Sequence, residues 1–219
     1  MTDVYRLVET NRIYFGVYHD LANVLTGLNL SIANIKDFCD KEKILEISKR
    51  AVFLSSFLKD SRIKKDDFCV FDLGEELKNI LLIFNYYFVK YNISTVVKIE
   101  DNVFVLLDRL KLGQVIINII SNAIDSLKEK DSHRSLFLFL KAKNDFIFIT
   151  IKDNGVGVEK DISSKIFEPF FSSKKSKDNF YCGLGLYLVK SIVEKDFGGR
   201  IKFKSEEGKG VSFTIKMPA

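Results

Sequence analysis

The chain has 219 residues, 47% of them hydrophobic, with 34 basic and 29 acidic side chains and a net charge of +5. That length and apolar content suit one domain of ordinary size plus a smaller element, and 20 phenylalanines against 2 prolines argue against a long disordered linker. The modest excess of charge predicts a well-mixed surface and argues against a dedicated nucleic-acid binder, in which basic residues cluster.

No apolar run approaches the ~18 residues of a membrane span. The stretch from Met1 to Arg6 lacks the apolar core of a signal peptide. The cysteines, Cys39, Cys69 and Cys182, lie at no metal-binding spacing and leave one over in any disulfide scheme. A cytoplasmic location, alone or as the cytoplasmic part of a larger receptor, is the expectation.

From Tyr14 to Ile35 the apolar residues fall at 14, 18, 21, 25, 28, 32 and 35, a heptad seam on one helix. A polar break over residues 36–40 follows. A second seam then runs through Ile44, Ile47, Ala51, Leu54 and Leu58. Two such helices joined by a few residues form an antiparallel hairpin. One hairpin buries neither seam well, whereas two copies make a four-helix bundle, so a homodimer through residues about 10–62 is expected. His19 lies one residue beyond seam position Tyr18, about 100° around the helix, at the edge of the seam beside solvent.

Residues 61–71 break the heptad and carry mixed charge. They set the expected division: a helical hairpin over 1–62, a linker over 63–71 and a second domain over 72–219. Asp72, with Glu75 three residues on, starts a helix whose apolar face is Leu77, Ile80, Leu81, Phe84 and Phe88. Two short strands, 95–100 and 103–106, flank Asp101-Asn102. Asp108 caps a long helix running to about Glu129. Strands 135–141 and 146–152 meet at a turn on Asn144-Asp145. A short helix over 160–167, a polar loop over 168–182 and a helix over 183–195 follow. Strands 200–205 and 210–217 end the chain. Interleaved helices and mainly antiparallel strands predict an α+β two-layer sandwich with the helices on one sheet face.

Several residues can carry chemistry, each with a plainer alternative. A histidine beside Asp20, with Asn23 one helical turn on, reads as a nucleophile or as a surface histidine. Asn118 and Asn122 share a helix face among apolar neighbours. They read as amides bonded to another helix, or as a Mg²⁺ and phosphate face with Asn122 giving its carbonyl oxygen to the metal. Asp153-Asn154-Gly155-Val156-Gly157 follows a strand and reads as a turn, or as a bend whose carboxylate accepts from the exocyclic amine of adenine. Gly183-Leu184-Gly185-Leu186 opens a helix whose exposed amides suit an anion, with Lys174 and Lys175 adding charge from the preceding loop.

Order and spacing make these elements specific: Asn122 to Asp153 is 31 residues and Asp153 to Gly183 is 30. Asn118-x-x-x-Asn122-Ala123, Asp153-x-Gly155-x-Gly157, Phe167-x-Pro169-Phe170-Phe171 and Gly183-x-Gly185-Leu186 resemble the nucleotide-binding boxes of sensor histidine kinases, over about residues 72–217. His19-Asp20-Leu21-x-Asn23 resembles their phosphoacceptor box on a two-helix dimerisation domain. The resemblance implies a dimeric hairpin followed by a Bergerat-type ATP-binding fold. It implies ATP and Mg²⁺ as ligands, and a response regulator receiver domain as the partner.

Residue by residue, Asp153 would read adenine and Asn122 would hold Mg²⁺. Gly155, Gly157, Gly183 and Gly185, with Leu184 and Leu186 beside them, would shape the loops around the nucleotide. Phe167 and Phe170 would anchor a lid. Asn118 stands where related ATPases carry a water-activating glutamate, and an amide is no base, so transfer to His19 is favoured over hydrolysis. Asp20 would accept the proton on the other imidazole nitrogen, leaving a lone pair for in-line attack. Asn23 would orient water when phosphate is removed from the regulator. Val24 and Tyr181 depart from the family, standing where proline and glycine are common. The alternative reading keeps the hairpin and His19 as a non-catalytic phosphotransfer protein with the second domain as scaffold. A third reading is an ATPase of the same fold.

Overall fold

The computed structural model describes residues 68–171 and 183–219. The expected hairpin with His19, Asp20 and Asn23, and Lys174 and Lys175, lie outside the described residues. Those described belong to one compact unit, Asp66–Lys175 with Gly183–Ala219.

Strand β1 (Phe68–Asp72) leads into helix α1 (Leu73–Ile83) and a short helix α2 (Asn85–Lys90). Strands β2 (Ile93–Ile99) and β3 (Phe104–Asp108) precede the long helix α3 (Arg109–Lys128). Strands β4 (Arg134–Lys143) and β5 (Phe146–Asp153) follow. Beyond residue 182 come α4 (Gly185–Ser191), a π-helical turn (Ile192–Asp196), β6 (Arg200–Glu206) and β7 (Gly210–Pro218). Five strands make one sheet in the order β2-β4-β5-β7-β6, and β1 pairs with β3 in a separate two-stranded sheet.

Both long caps form as the sequence dictates. Asp72 Oδ1 accepts from the Glu75 amide at 3.1 Å, and Asp108 Oδ1 accepts from the amides of Leu110 and Lys111 at 2.9 and 3.1 Å. The apolar face of α3, from Leu112 and Val115 to Ile124 and Leu127, is buried. It belongs to the same core as the inward residues of the sheet: Leu136, Leu138 and Leu140 of β4, Ile147, Ile149 and Ile151 of β5, and Phe213, Ile215 and Met217 of β7. Strict alternation along these strands, apolar inward and polar or aromatic outward, is the mark of a sheet covered on one face. The α+β two-layer sandwich is therefore the observed architecture.

Four local expectations change. Phe68–Phe71, placed in a linker, are strand: β1 runs antiparallel to β3 with Val70 opposite Leu106. The strands flanking Asp101-Asn102, expected over 95–100 and 103–106, span Ile93–Ile99 and Phe104–Asp108, and β2 runs parallel to β4, with Ile93 opposite Arg134 and Ile99 opposite Leu140. Parallel neighbours need a long crossover, which β3 and α3 supply. Residues 160–167 form hydrogen-bonded turns rather than a helix, and Ser163 Oγ donates to the Lys160 carbonyl at 2.7 Å, a local bond that competes with helix formation. The helix expected over 183–195 starts at Gly185 and widens into the π turn, which Lys111 of α3 grips through Asp196 at 2.8 Å.

Candidate functional site

Helix α3 carries one polar stripe at i, i+4 spacing: Gln114, Asn118, Asn122 and Ser126, all half-buried. It adjoins the apolar side that packs on the sheet. Asn118 Nδ2 donates to the Gln114 carbonyl at 2.8 Å, which leaves Oδ1 directed elsewhere. That oxygen lies against Gly185 at the start of α4, where a Cβ would stand 2.9 Å from it. The glycine therefore lets the two helices meet at the amide. Asn122 makes no hydrogen bond among the described residues, and its carbonyl oxygen remains available as a ligand.

Ser126, the next member of the stripe, is the one buried side-chain polar atom without a hydrogen-bond partner among the described residues. Its Oγ sits where a Cβ on Gly155 would lie, and Asp153 Oδ1 would be 2.9 Å from that same Cβ. Gly155, Ser126 and the Asp153 carboxylate thus converge. A buried hydroxyl left unpaired costs about 1–3 kcal/mol, so the point is polar and unsatisfied.

Asp153 ends β5 and is 3% exposed. Burial pushes its carboxyl from the usual 3.8 up to about 6, opposed by the amides of Gly155, Val211 and its own residue and by the Lys130 ammonium. The Gly155 amide donates to Oδ1 at 2.8 Å. Neighbouring Asn154 fixes the bend: Oδ1 accepts from the Ser135 amide at 2.7 Å and Nδ2 donates to the His133 carbonyl at 2.9 Å. Lys130 Nζ donates to the Asn154 carbonyl at 2.5 Å. The result is a rigid carboxylate at the sheet end, held mostly by backbone donors.

The other glycines singled out by sequence hold the protein's own backbone. Gly157 has φ +75°, and a Cβ there would strike the Glu206 carbonyl at the β6–β7 turn. That turn is tied to the bend by the Gly208 amide, which donates to the Val156 carbonyl at 2.7 Å, and by Ser205 Oγ, which accepts from the Val158 amide at 2.8 Å. Gly183 has φ +60° and packs on the backbone of Phe170 and Phe171. Gly210, which sequence reasoning missed, has φ +98° and lies on the Asp153 carbonyl.

Leu184 is 1% exposed, and Leu186 packs against the main core, so both leucines are apolar anchors. Phe167 makes edge contacts with Phe203 and Phe213, each at 6.3 Å, and anchors the 159–171 segment on the sheet. Phe170, expected to share that task, is 45% exposed at φ +64°, and half-buried Phe171 packs against the core instead. The i+4 step from Asn122 to Ser126 was the sequence signal that would have found the serine. Nothing local marks Lys130 or Gly210, which the fold brings to Asp153.

Among the described residues no cluster of three or more His, Cys, Asp or Glu side chains suits a metal, and no helix is long and apolar enough to cross a membrane. The donor set fits Mg²⁺ in the other way such an ion is held, by one amide oxygen with waters and phosphates completing the shell.

Residues 107–219 match the family described as histidine kinase-, DNA gyrase B-, and HSP90-like ATPase. The chain belongs to this ATPase family. Sporulation kinase B of Bacillus subtilis is 28% identical over 226 residues, 98% of this chain and 51% of that protein. The chain spans still smaller shares of other curated sensor kinases that it matches. The nucleotide-free catalytic domain of histidine kinase ThkA superposes with a TM-score of 0.61 at 26% identity, covering 69% of this chain and 95% of that one. ThkA in complex with the response regulator protein TrrA covers 96% of this ATPase-family chain and 60% of its own, with a TM-score of 0.64 and 20% identity, a likeness of fold.

Proposed function

We propose that this chain is the core of a two-component sensor histidine kinase, moving the γ-phosphoryl group of ATP to His19 and then to an aspartate on a response regulator receiver domain. One observation carries the reading. A 3% exposed carboxylate, Asp153, and an unpartnered buried hydroxyl, Ser126, converge beside Gly155 at the end of the Asn118–Asn122 stripe.

Asp153 would accept the hydrogen bond of an adenine amine, and its geometry is held by the Gly155 amide. Ser126 Oγ would bond the base or a water bridging to it. Asn122 would give its carbonyl oxygen to Mg²⁺, which would supply charge neutralisation on the phosphates. Asn118 Oδ1 lies beside Gly185, where the amides opening α4 would meet phosphate oxygens. An amide has no basic lone pair at neutral pH, so Asn118 would orient rather than deprotonate water, and hydrolysis would lose to transfer.

Phosphoryl transfer is mainly positioning and electrostatics. His19 would attack in line through one imidazole nitrogen while Asp20 holds the proton on the other. Asn23, one helical turn on, would orient water when the regulator is dephosphorylated. Lys174 would add charge at the phosphates, and the hairpin over 1–62 would dimerise the chain. The protein would act in the cytoplasm, or as the cytoplasmic part of a larger receptor. The sensor kinases among its relatives, and ThkA in complex with TrrA, support the reading.

Autophosphorylation with labelled ATP and Mg²⁺ is the test. The label should be acid-labile and base-stable, and His19→Gln should abolish it. Label persisting in that variant would refute the assignment. Steady ATP turnover without label would favour the ATPase reading, and no Mg·ATP affinity the phosphotransfer scaffold.

A further inference from the structure

The face of the five-stranded sheet turned away from the helices has no part in the nucleotide site. Cross-strand register sets Arg200 of β6 opposite Lys216 of β7, Lys216 opposite Phe148 of β5, and Phe148 opposite Lys141 of β4. A second row places Lys204 opposite Ser212, Ser212 opposite Lys152 and Lys152 opposite Phe137. Lys202 lies between these rows on β6. Among the strand residues of this face the one carboxylate is Glu206, at the rim and paired with Lys209. The surface that composition predicts to be well mixed is therefore segregated here.

Like charges directly opposite one another destabilise a sheet, and Arg200 and Lys216 form such a pair. None of Lys141, Lys152, Arg200, Lys202, Lys204 and Lys216 joins an ion pair among the described residues. Two of these lysines rest on phenyl rings instead. Lys216 Nζ stands 3.6 Å from the centroid of Phe146 and 5.9 Å from that of Phe148, and Lys152 Nζ is 5.9 Å from Phe137. Between β5, β7 and β6 lies an open hollow of about 470 Å³, with Phe146, Phe148 and Pro218 along it and Arg200, Lys202 and Lys216 around it.

We propose that this face docks an acidic protein segment, with an apolar side chain in the hollow and flanking carboxylates on Arg200, Lys202 and Lys216. Charge complementarity decides the sign of the occupant. The cations continue across β5 and β4, further than a small anion reaches, so the occupant is extended. Base stacking needs a free ring face, and Lys216 already covers that of Phe146, which disfavours single-stranded nucleic acid in the hollow. A lipid surface is flat and leaves the hollow empty. The proposal stands independently of the nucleotide reading.

The test uses the full chain and a fluorescein-labelled peptide alternating glutamate with phenylalanine and leucine, read by anisotropy. Binding should weaken with salt and fall roughly ten-fold or more in Arg200→Glu/Lys202→Glu. Lys195→Glu, a single reversal of charge on the helical layer, should leave it intact, and nucleotide binding should be unchanged in every variant. Arg200→Gln/Lys202→Gln, which adds no charge to the edge strand, should give a smaller loss of the same sign and covers the case in which the double reversal misfolds. Absence of peptide binding, or equal loss in Lys195→Glu, overturns the proposal. So does tighter binding of oligothymidine or of phosphatidylserine vesicles with the same sensitivity to these variants.

Discussion

Replacing Asp153 by asparagine should stabilise the protein and weaken its hold on nucleotide. At 1.36 kcal/mol per pH unit, a carboxyl lifted from 3.8 to about 6 carries about 3 kcal/mol of preference for its neutral form. The folded state then binds more protons than the unfolded chain between about pH 4 and 6, and its stability falls as pH rises through that window. Above about pH 6 the cost of the buried charge is complete. Asp153→Asn never ionises and keeps an oxygen for the Gly155 amide. Its stability should exceed that of the parent by up to about 3 kcal/mol at pH 7.5, and the gap should close below about pH 4. Denaturation followed by circular dichroism at stepped pH measures this, because the other carboxylates titrate alike in both proteins and cancel. Fluorescent ATP should bind on the order of ten- to a hundred-fold more weakly, the worth of a charged hydrogen bond. A gap independent of pH, or an asparagine variant no more stable at pH 7.5, would refute the argument from burial.

Ser126→Ala removes an unpaired buried hydroxyl, so the free protein should gain up to about 1 kcal/mol in thermal melts while nucleotide binding weakens. Gly185→Ala gains helix propensity of about 1 kcal/mol but drives a methyl to within 2.9 Å of Asn118 Oδ1. The melting temperature should stay nearly level while the rate of His19 labelling drops. Gly210→Ala meets both φ +98° and the Asp153 carbonyl. It should cost about 1–3 kcal/mol or more in denaturation, and nucleotide should rescue it poorly because the carboxylate's own backbone moves.

Among the described residues, helices α1 and α3 and the three central strands were legible because their signals are local. The alternation from Ser135 to Ile151 and the apolar face of α3 each repeat several times, and Asp108 caps where a cap is needed. What escaped is non-local. The five residues of β1 follow a run of mixed charge, and their one buried apolar side chain, Phe71, gives no visible period. Nothing in Ile93–Ile99 says whether it turns back on β3 or runs parallel to β4. That choice is made by setting Val97 and Ile99 opposite Leu138 and Leu140 of β4. The same holds at the site. Asn118, Asn122 and Asp153 could be named from residue type and spacing, whereas Lys130 and Gly210 reach Asp153 through the fold alone.

Hydrogen bonding along α3 runs from satisfied to unsatisfied. Asn118 spends its donor on Gln114, Asn122 has no partner, and Ser126 is buried without one. At the last of these the chain also buries a carboxylate whose charged form costs about 3 kcal/mol. A structural core would replace such groups with apolar ones, since a half-satisfied buried network is worse than none. Packing cannot explain their retention, because Ala123, Ile124 and Leu127 on the adjoining face already complete the contact with the sheet. Under the proposed function the unmet donors and acceptors would be answered by complement: an amine facing Asp153, a polar atom or water facing Ser126, and a cation facing the Asn122 carbonyl. A nucleotide carrying Mg²⁺ would answer all of these demands at once, and that convergence supports the proposed phosphoryl chemistry more than any one glycine box does.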